Sequence, residues 1–169
     1  PGVPSVYYGD EIAMQGFKDP YNRRPYNWEH GDTYVQSRFR RYIKERNEHT
    51  ALQTGELLPL YGDGDLLAFA RLIRSGHDVF GEKAETDAYI AIFNRHRSEE
   101  QTVTLDVGDF AEGVFVDAFH PERRCDVVRG QVTVTVKPLH GMLLREQVEE
   151  GKLIKLNPEW RPGSYLARS

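Results

Sequence analysis

The chain has 169 residues, 39% hydrophobic and 28% charged, which suits one packed domain with or without part of a second and excludes disorder as the default. Its formal net charge of −4, with no long basic run, argues against nucleic acid or an anionic membrane as partner. No apolar stretch approaches the roughly 18 residues of a spanning helix. The single cysteine, Cys125, excludes an internal disulfide and mildly favours a reducing, cytoplasmic setting. The chain begins with Pro1 rather than Met and its first residues already read as core, so it reads as a piece of something larger.

In chain order, Val3 to Tyr8 is an apolar run that predicts a strand buried on both faces, ended by Gly9-Asp10-Glu11. Ile12 to Glu29 is irregular, with Gly16, Pro20, Pro25, aromatics and the basic pair Arg23-Arg24; loops of this length are often functional. Asp32 is a plausible N-cap for a helix running to about His49. Val35, Phe39, Tyr42 and Ile43 form one apolar stripe on it, read as core packing. Gly55 marks the end of the helical region.

Beyond Gly55 the period changes from 3.6 to 2. Strands are predicted near Leu57–Tyr61, Leu66–Arg74, Ala88–Arg95, Thr102–Val107, Val114–Phe119, Val132–Val136 and Met142–Val148. Turn signals separate them: Gly62-Asp63-Gly64, Ser75-Gly76-His77, Gly108-Asp109 and Arg129-Gly130. Such an order of short strands indicates an antiparallel sandwich. Phe80 to Thr86 interrupts one hairpin and reads as a mobile loop, and Glu149 to Ser169 as a polar tail.

The first stretch carries a resemblance. Pro1 to Met14, with Tyr7-Tyr8-Gly9-Asp10-Glu11-Ile12 at its centre, resembles the eighth barrel strand and following loop of the α-amylase superfamily, glycoside hydrolase family thirteen. Asp19-Pro20-Tyr21-Asn22-Arg23-Arg24-Pro25-Tyr26-Asn27-Trp28 is similar to a segment of its neopullulanase, cyclomaltodextrinase and maltogenic amylase relatives. Ile43 to Glu56 resembles the last barrel helix and its exit, and the sandwich the C-terminal domain. Ala13 stands where the family usually has glycine, and its side chain argues for negative φ there.

The resemblance implies a mainly β chain: an antiparallel β-sandwich preceded by the last strand, loop and helix of a (β/α)8 barrel. It divides the chain into 1–55, the barrel remnant; 56–148, the sandwich; and 149–169, a tail. The activity implied is retaining cleavage or transfer of α-glucans (starch, maltodextrin, cyclodextrin or pullulan) through a carboxylate nucleophile and a second carboxyl group acting as acid and base. A third carboxylate orients the sugar. The family carries these after barrel strands four, five and seven, so no catalytic residue is expected in this chain, which would be inactive alone. The partners implied are the missing barrel and, in the parent, the glucan. Self-association through the exposed barrel strand is a further expectation.

Asp10 and Glu11 read as structural rim residues rather than a catalytic pair. The resemblance assigns Asp19 and Arg23 to substrate binding, on a glucose one unit beyond the cleaved one on its non-reducing side. A carboxylate accepts from two hydroxyls and a guanidinium offers a rigid donor fork; the bland alternative is a loop salt bridge. Arg24 reads as tying the loop down. Tyr26 and Trp28 read as buried loop anchors over sugar-stacking rings. The six histidines are scattered, no pair has metal-ligand spacing, and neither metal nor cofactor is expected. The competing readings are a carbohydrate-binding or structural sandwich and a catalytically dead relative. Exposed aromatics aligned on one sheet face would favour binding; Tyr61, Phe69, Tyr89, Phe93, Phe115 and Phe119 sit mostly at core-compatible positions, which favours bracing.

Overall fold

The structure, a computed structural model, describes residues 3–147. Pro1, Gly2, Val148 and the tail 149–169 lie outside the described residues. The chain divides after His49 into two compact units.

In the first unit, Asp10–Ile12 and Tyr21–Arg23 each form a single 3-10 turn, and helix α1 runs Thr33–Glu48. Asp32 caps α1 as its sequence position predicts: its Oδ1 accepts from Val35 N at 3.0 Å, satisfying one of the first-turn donors that have no helical partner. Two expectations fail here. Val3–Tyr8 is not a strand: among the described residues no segment offers it a backbone edge, and a strand exists only as half of a ladder. The stripe on α1 is not buried either, with Tyr42 and Ile43 each 47% exposed. With Pro4, Val6 and Phe39 it lines an apolar groove of about 390 Å3, flanked by Arg38 and Arg46. Amphipathic spacing sorts a helix face correctly but does not supply its cover.

The second unit opens with a short helix, α2 (Thr50–Thr54), which lies between the expected helix end near His49 and the Gly55 stop. Gly55 N donates to Ala51 O and ends it. A Cβ on Gly55 would overlap the carbonyl oxygens of Ala51 and Leu72, so only glycine fits where α2 closes down on the sheet. Eight strands follow: β1 (Glu56–Asp63), β2 (Leu66–Ile73), β3 (Asp87–Asn94), β4 (Gln101–Asp106), β5 (Val114–Asp117), β6 (His120–Asp126), β7 (Gln131–Val136) and β8 (His140–Gln147).

They form the antiparallel sandwich the alternation predicts, from a six-stranded sheet in the order β1-β2-β3-β8-β5-β6 and a two-stranded sheet β4-β7. The predicted turns at Ser75-Gly76 and Arg129-Gly130 are present with both residues at positive φ, the geometry that matches strand twist in tight hairpins. β6 escaped the sequence reading. Its residues His120-Pro121-Glu122-Arg123-Arg124-Cys125-Asp126 show no apolar alternation, because it is an edge strand with mostly exposed side chains, where proline and charge are tolerated.

The core lies between the sheets. Ala68, Ala70, Leu72, Ala88, Ile90, Ile92, Phe115 and Leu144 of the large sheet meet Val103, Leu105, Val132, Val134 and Val136 of the small one. Each large side chain of this set gives about 1.5–3 kcal/mol on burial. The outer face of the small sheet is polar, with cross-strand hydroxyl pairs Thr102–Thr135 at 2.8 Å and Thr104–Thr133 at 2.9 Å. Asn94, at the end of β3, donates from Nδ2 to Val136 O at 3.0 Å and to Glu99 O at 2.9 Å, which ties the large sheet to the small one.

On the other side of the large sheet, Ala51 of α2 packs with Ile73 and Tyr89. Arg145 grips Asp87 through two bonds, Nε to Oδ1 at 3.1 Å and Nη2 to Oδ2 at 3.0 Å. The interrupted hairpin at Phe80–Thr86, expected to be mobile, is pinned by the buried Asp78, whose Oδ1 accepts from Phe80 N and Glu82 N, each at 2.9 Å. Burial alone would raise the Asp78 carboxyl, but the Thr54 side chain and the surrounding backbone N–H groups outweigh it and hold the carboxyl below its ordinary value.

This distribution of ladders sets an exchange pattern. Amides of β2, β3 and β7 should exchange slowly and those of residues 3–29 fast, since the backbone bonds there close only single turns. Hydrogen exchange on the chain checks this. Protection of 3–29 in a self-associated sample would report edge pairing between copies, whereas strong protection in a demonstrated monomer would mean that the segment has its full complement of partners within this chain.

Candidate functional site: the Asp19–Arg23 loop

The loop is built from its two ends inward. Gly9, at φ 87°, turns the chain out of the apolar segment. Ala13 closes the first turn at φ 55°, in the left-handed region and against the expectation of negative φ; its N–H donates to Asp10 O at 3.1 Å, a bond that holds it there. Ile12 is buried, and Asp32 N donates to Ile12 O at 3.1 Å, so the excursion between them leaves and returns at one point. That is the plan of a compact surface loop, frequently a functional one.

Asp10 and Glu11 are structural, as read from the sequence. Asp10 Oδ2 accepts from Tyr7 N at 3.0 Å. Glu11 accepts from Gly9 N at 3.1 Å and from the Tyr26 hydroxyl at 2.6 Å. The Tyr26 bond, helped by the backbone, holds the Glu11 carboxyl below its ordinary value, and the same bond pushes the Tyr26 phenol up. Tyr26 therefore anchors the loop through its hydroxyl, though it is half-buried rather than the buried ring expected. Trp28 does not: it is 86% exposed, in tilted ring contact with Tyr26 at 4.6 Å. A tryptophan in a short sequence says nothing about which of its faces is covered.

The structure brings the two candidate binding residues together. Arg23 Nε lies 2.8 Å from Asp19 Oδ1 and its Nη2 donates to Asp19 Oδ2 at 3.3 Å, with the side chains 76% and 58% exposed. An ion pair this open contributes about 0–1 kcal/mol to stability. It is therefore a poor strut, yet it leaves free acceptor and donor positions facing solvent. Arg24 was expected to tie the loop down, but its Nε donates to Tyr21 O at 3.5 Å, a bond within the same turn. Sequence reasoning missed Tyr8, whose hydroxyl donates to Asn22 O at 3.0 Å and lies 3.4 Å from Arg24 O. A tyrosine in an apolar run gives no sign that its hydroxyl reaches fourteen residues ahead. Among the described residues no group of three or more His, Cys, Asp or Glu side chains converges to hold a metal ion.

Solved α-amylase-type structures share this fold. An Anoxybacillus α-amylase superposes with a TM-score of 0.71 at 23% identity, covering 90% of this chain and 30% of its own. A debranching enzyme from Nostoc punctiforme gives a TM-score of 0.65 at 25% identity, covering 85% and 28%. In sequence and in fold the chain resembles the C-terminal part of an α-amylase-family enzyme. Among individual relatives, it is 38% identical over 146 residues to the amylopullulanase of Thermoanaerobacter thermohydrosulfuricus, covering 85% of this chain and 10% of that protein. Neopullulanase 2 of Thermoactinomyces vulgaris is 30% identical over 150 residues, covering 85% and 23%. The chain thus spans a minor part of the length of the curated relatives it matches. No family model matches it.

Replacing Tyr26 by Phe removes the donor that holds Glu11 down, so the Glu11 titration should move up toward the ordinary carboxylate range. A carboxyl-carbon NMR titration of wild type and Tyr26→Phe reads this directly; an unmoved curve would mean that the hydroxyl does not face Glu11 in solution.

Proposed function

We propose that the chain is the C-terminal part of a retaining α-glucan hydrolase or transglycosylase that processes starch, maltodextrin, cyclodextrin or pullulan. In this reading residues 1–55 complete a (β/α)8 barrel and residues 56–148 brace it. The catalytic carboxylates lie on other barrel strands, so the chain alone turns over no glucan. It works in the cytoplasm and needs no metal or cofactor. The names of the relatives, amylopullulanase and neopullulanase, support the substrate class.

One observation carries the site. Asp19 and Arg23 form a two-pronged ion pair that stays open to solvent. The carboxylate keeps lone pairs for two sugar hydroxyls, and the guanidinium keeps N–H donors for sugar oxygens in a fixed plane. Because the pair is already formed, little side-chain freedom is lost when a glucose settles on it.

A second reading, a glucan-binding sandwich, has one observation in its favour. Phe93 is 45% and Leu67 49% exposed on the outer face of the large sheet, with Phe69 at 6.1 Å ring separation from Phe93. Retention of residues 50–147 on a starch column, lost in Phe93→Ala, would favour that reading over bracing.

In the longer enzyme, Asp19→Ala and Arg23→Ala should lower kcat/KM on maltooligosaccharides with little change in Tm. A charged hydrogen bond to substrate is worth about 1.5–3 kcal/mol, roughly ten- to a hundredfold. The chain by itself should match a buffer blank in the same assay. Wild-type kinetics in both variants would make the pair a loop salt bridge and end the site assignment.

A further inference from the structure

The open ion pair raises the question of what fixes it. A surface pair worth at most about 1 kcal/mol cannot set the course of its own backbone. Nor does a ladder: the residues between Asp19 and Arg24 hold one 3-10 turn, Tyr21–Arg23, bonded to itself by Arg23 N to Pro20 O at 3.1 Å and, just before, Tyr21 N to Lys18 O at 3.0 Å. A turn closed only on itself can move as a body, carrying Asp19 and Arg23 with it.

One side chain from outside the loop stops it there. The Tyr8 hydroxyl donates to Asn22 O at 3.0 Å and lies 3.4 Å from Arg24 O, so it faces carbonyls of the residues on either side of Arg23. A phenol has one proton, so it donates to one carbonyl at a time, and the shorter contact takes it. The peptide that leads into Arg23 is thus held through its Asn22 carbonyl by a single hydroxyl. Tyr8 is itself held in register: Gly9 N next to it donates to Glu11, and its ring contacts Tyr7 at 4.7 Å. Through Glu11 the same frame reaches Tyr26 at the far end of the loop.

We propose that Tyr8 is a positioning residue: its hydroxyl, bonded to the Asn22 carbonyl just before Arg23, holds the Asp19–Arg23 pair in the geometry that binds a glucose unit. The inference rests on the reading of Asp19 and Arg23 as sugar-binding groups. Tyr8 itself touches no sugar. It acts by keeping the guanidinium plane and the carboxylate where the substrate meets them already aligned, so that sugar binding does not have to order the loop.

The test is a double-mutant cycle in the longer enzyme, with maltohexaose as substrate and Tm measured for every variant. Tyr8→Phe keeps the ring and removes only the hydroxyl. It should lower kcat/KM about two- to tenfold, the span of one neutral hydrogen bond, with Tm unchanged. In an Arg23→Ala background the same change should cost less than it does alone, because one of the two side chains the hydroxyl positions is gone. A merely structural tyrosine would not give this pattern: it would lower Tm, or its loss would add to that of Arg23→Ala. Wild-type kinetics in Tyr8→Phe beside a damaged Arg23→Ala, or full additivity of the two, overturns the inference and leaves the sugar-binding pair standing. Wild-type kinetics in Asp19→Ala and Arg23→Ala removes the pair itself, a result distinguishable from either.

Discussion

Val103, Leu105, Val132, Val134 and Val136 all leave the two-stranded sheet on one side, and the sandwich depends on their having a single place to go. β4 and β7 alone would be a marginal hairpin. Closed onto the six-stranded sheet, the five side chains meet a surface deliberately low in the middle: Ala68, Ala70 and Ala88 alternate with Leu72, Ile90 and Ile92, so the branched side chains of one sheet enter between those of the other. The polar ties follow from this contact. Asn94 can reach Val136 O only because the two sheets are already at packing distance there. The buried Arg74 and Glu56 approach to 3.1 Å with Arg74 over the Phe110 ring at 5.9 Å, charges that would be costly to bury apart.

The first unit is organised on a different principle. Its backbone between Val3 and Gly31 makes almost no ladder, so side-chain oxygens hold what strands would otherwise hold. Asp10, Glu11, Tyr8, Tyr26 and Asn27 each bond a backbone group or each other around the loop. These are short-range contacts between partly exposed groups, worth about 0.5–1.5 kcal/mol apiece. They shape the loop without giving it a core.

What could be read in advance follows the same division. The sandwich was legible because burial imposes an alternation that Val132-Thr133-Val134-Thr135-Val136 displays openly, and because Arg129-Gly130 and Ser75-Gly76 mark their turns. β6 was not, since an edge strand buries little and its sequence need not alternate. The α1 stripe was found, but its cover was assumed. At the site, the family motif around Asp19-Pro20 and Arg23-Arg24-Pro25 carried the reading, and the structure places Asp19 and Arg23 in contact. Tyr8 and the exposure of Trp28 were illegible, because both depend on where a loop comes back to in space. Ala13 misled for a related reason: a cross-turn bond holds an unfavoured φ that the residue type alone argues against.

Ile12 is the one buried apolar side chain of the first unit among the described residues, and the loop it anchors leaves and returns at that point. Apart from the half-buried Tyr26, residues from Gly16 to His30 are exposed. Away from Tyr26 and the Asn22 carbonyl, substitutions there change the surface with little cost in folding. A loop tethered at one buried residue is a segment whose surface can diverge between lineages faster than the scaffold beneath it, and a place where an experimenter can randomise sequence without first stabilising the protein.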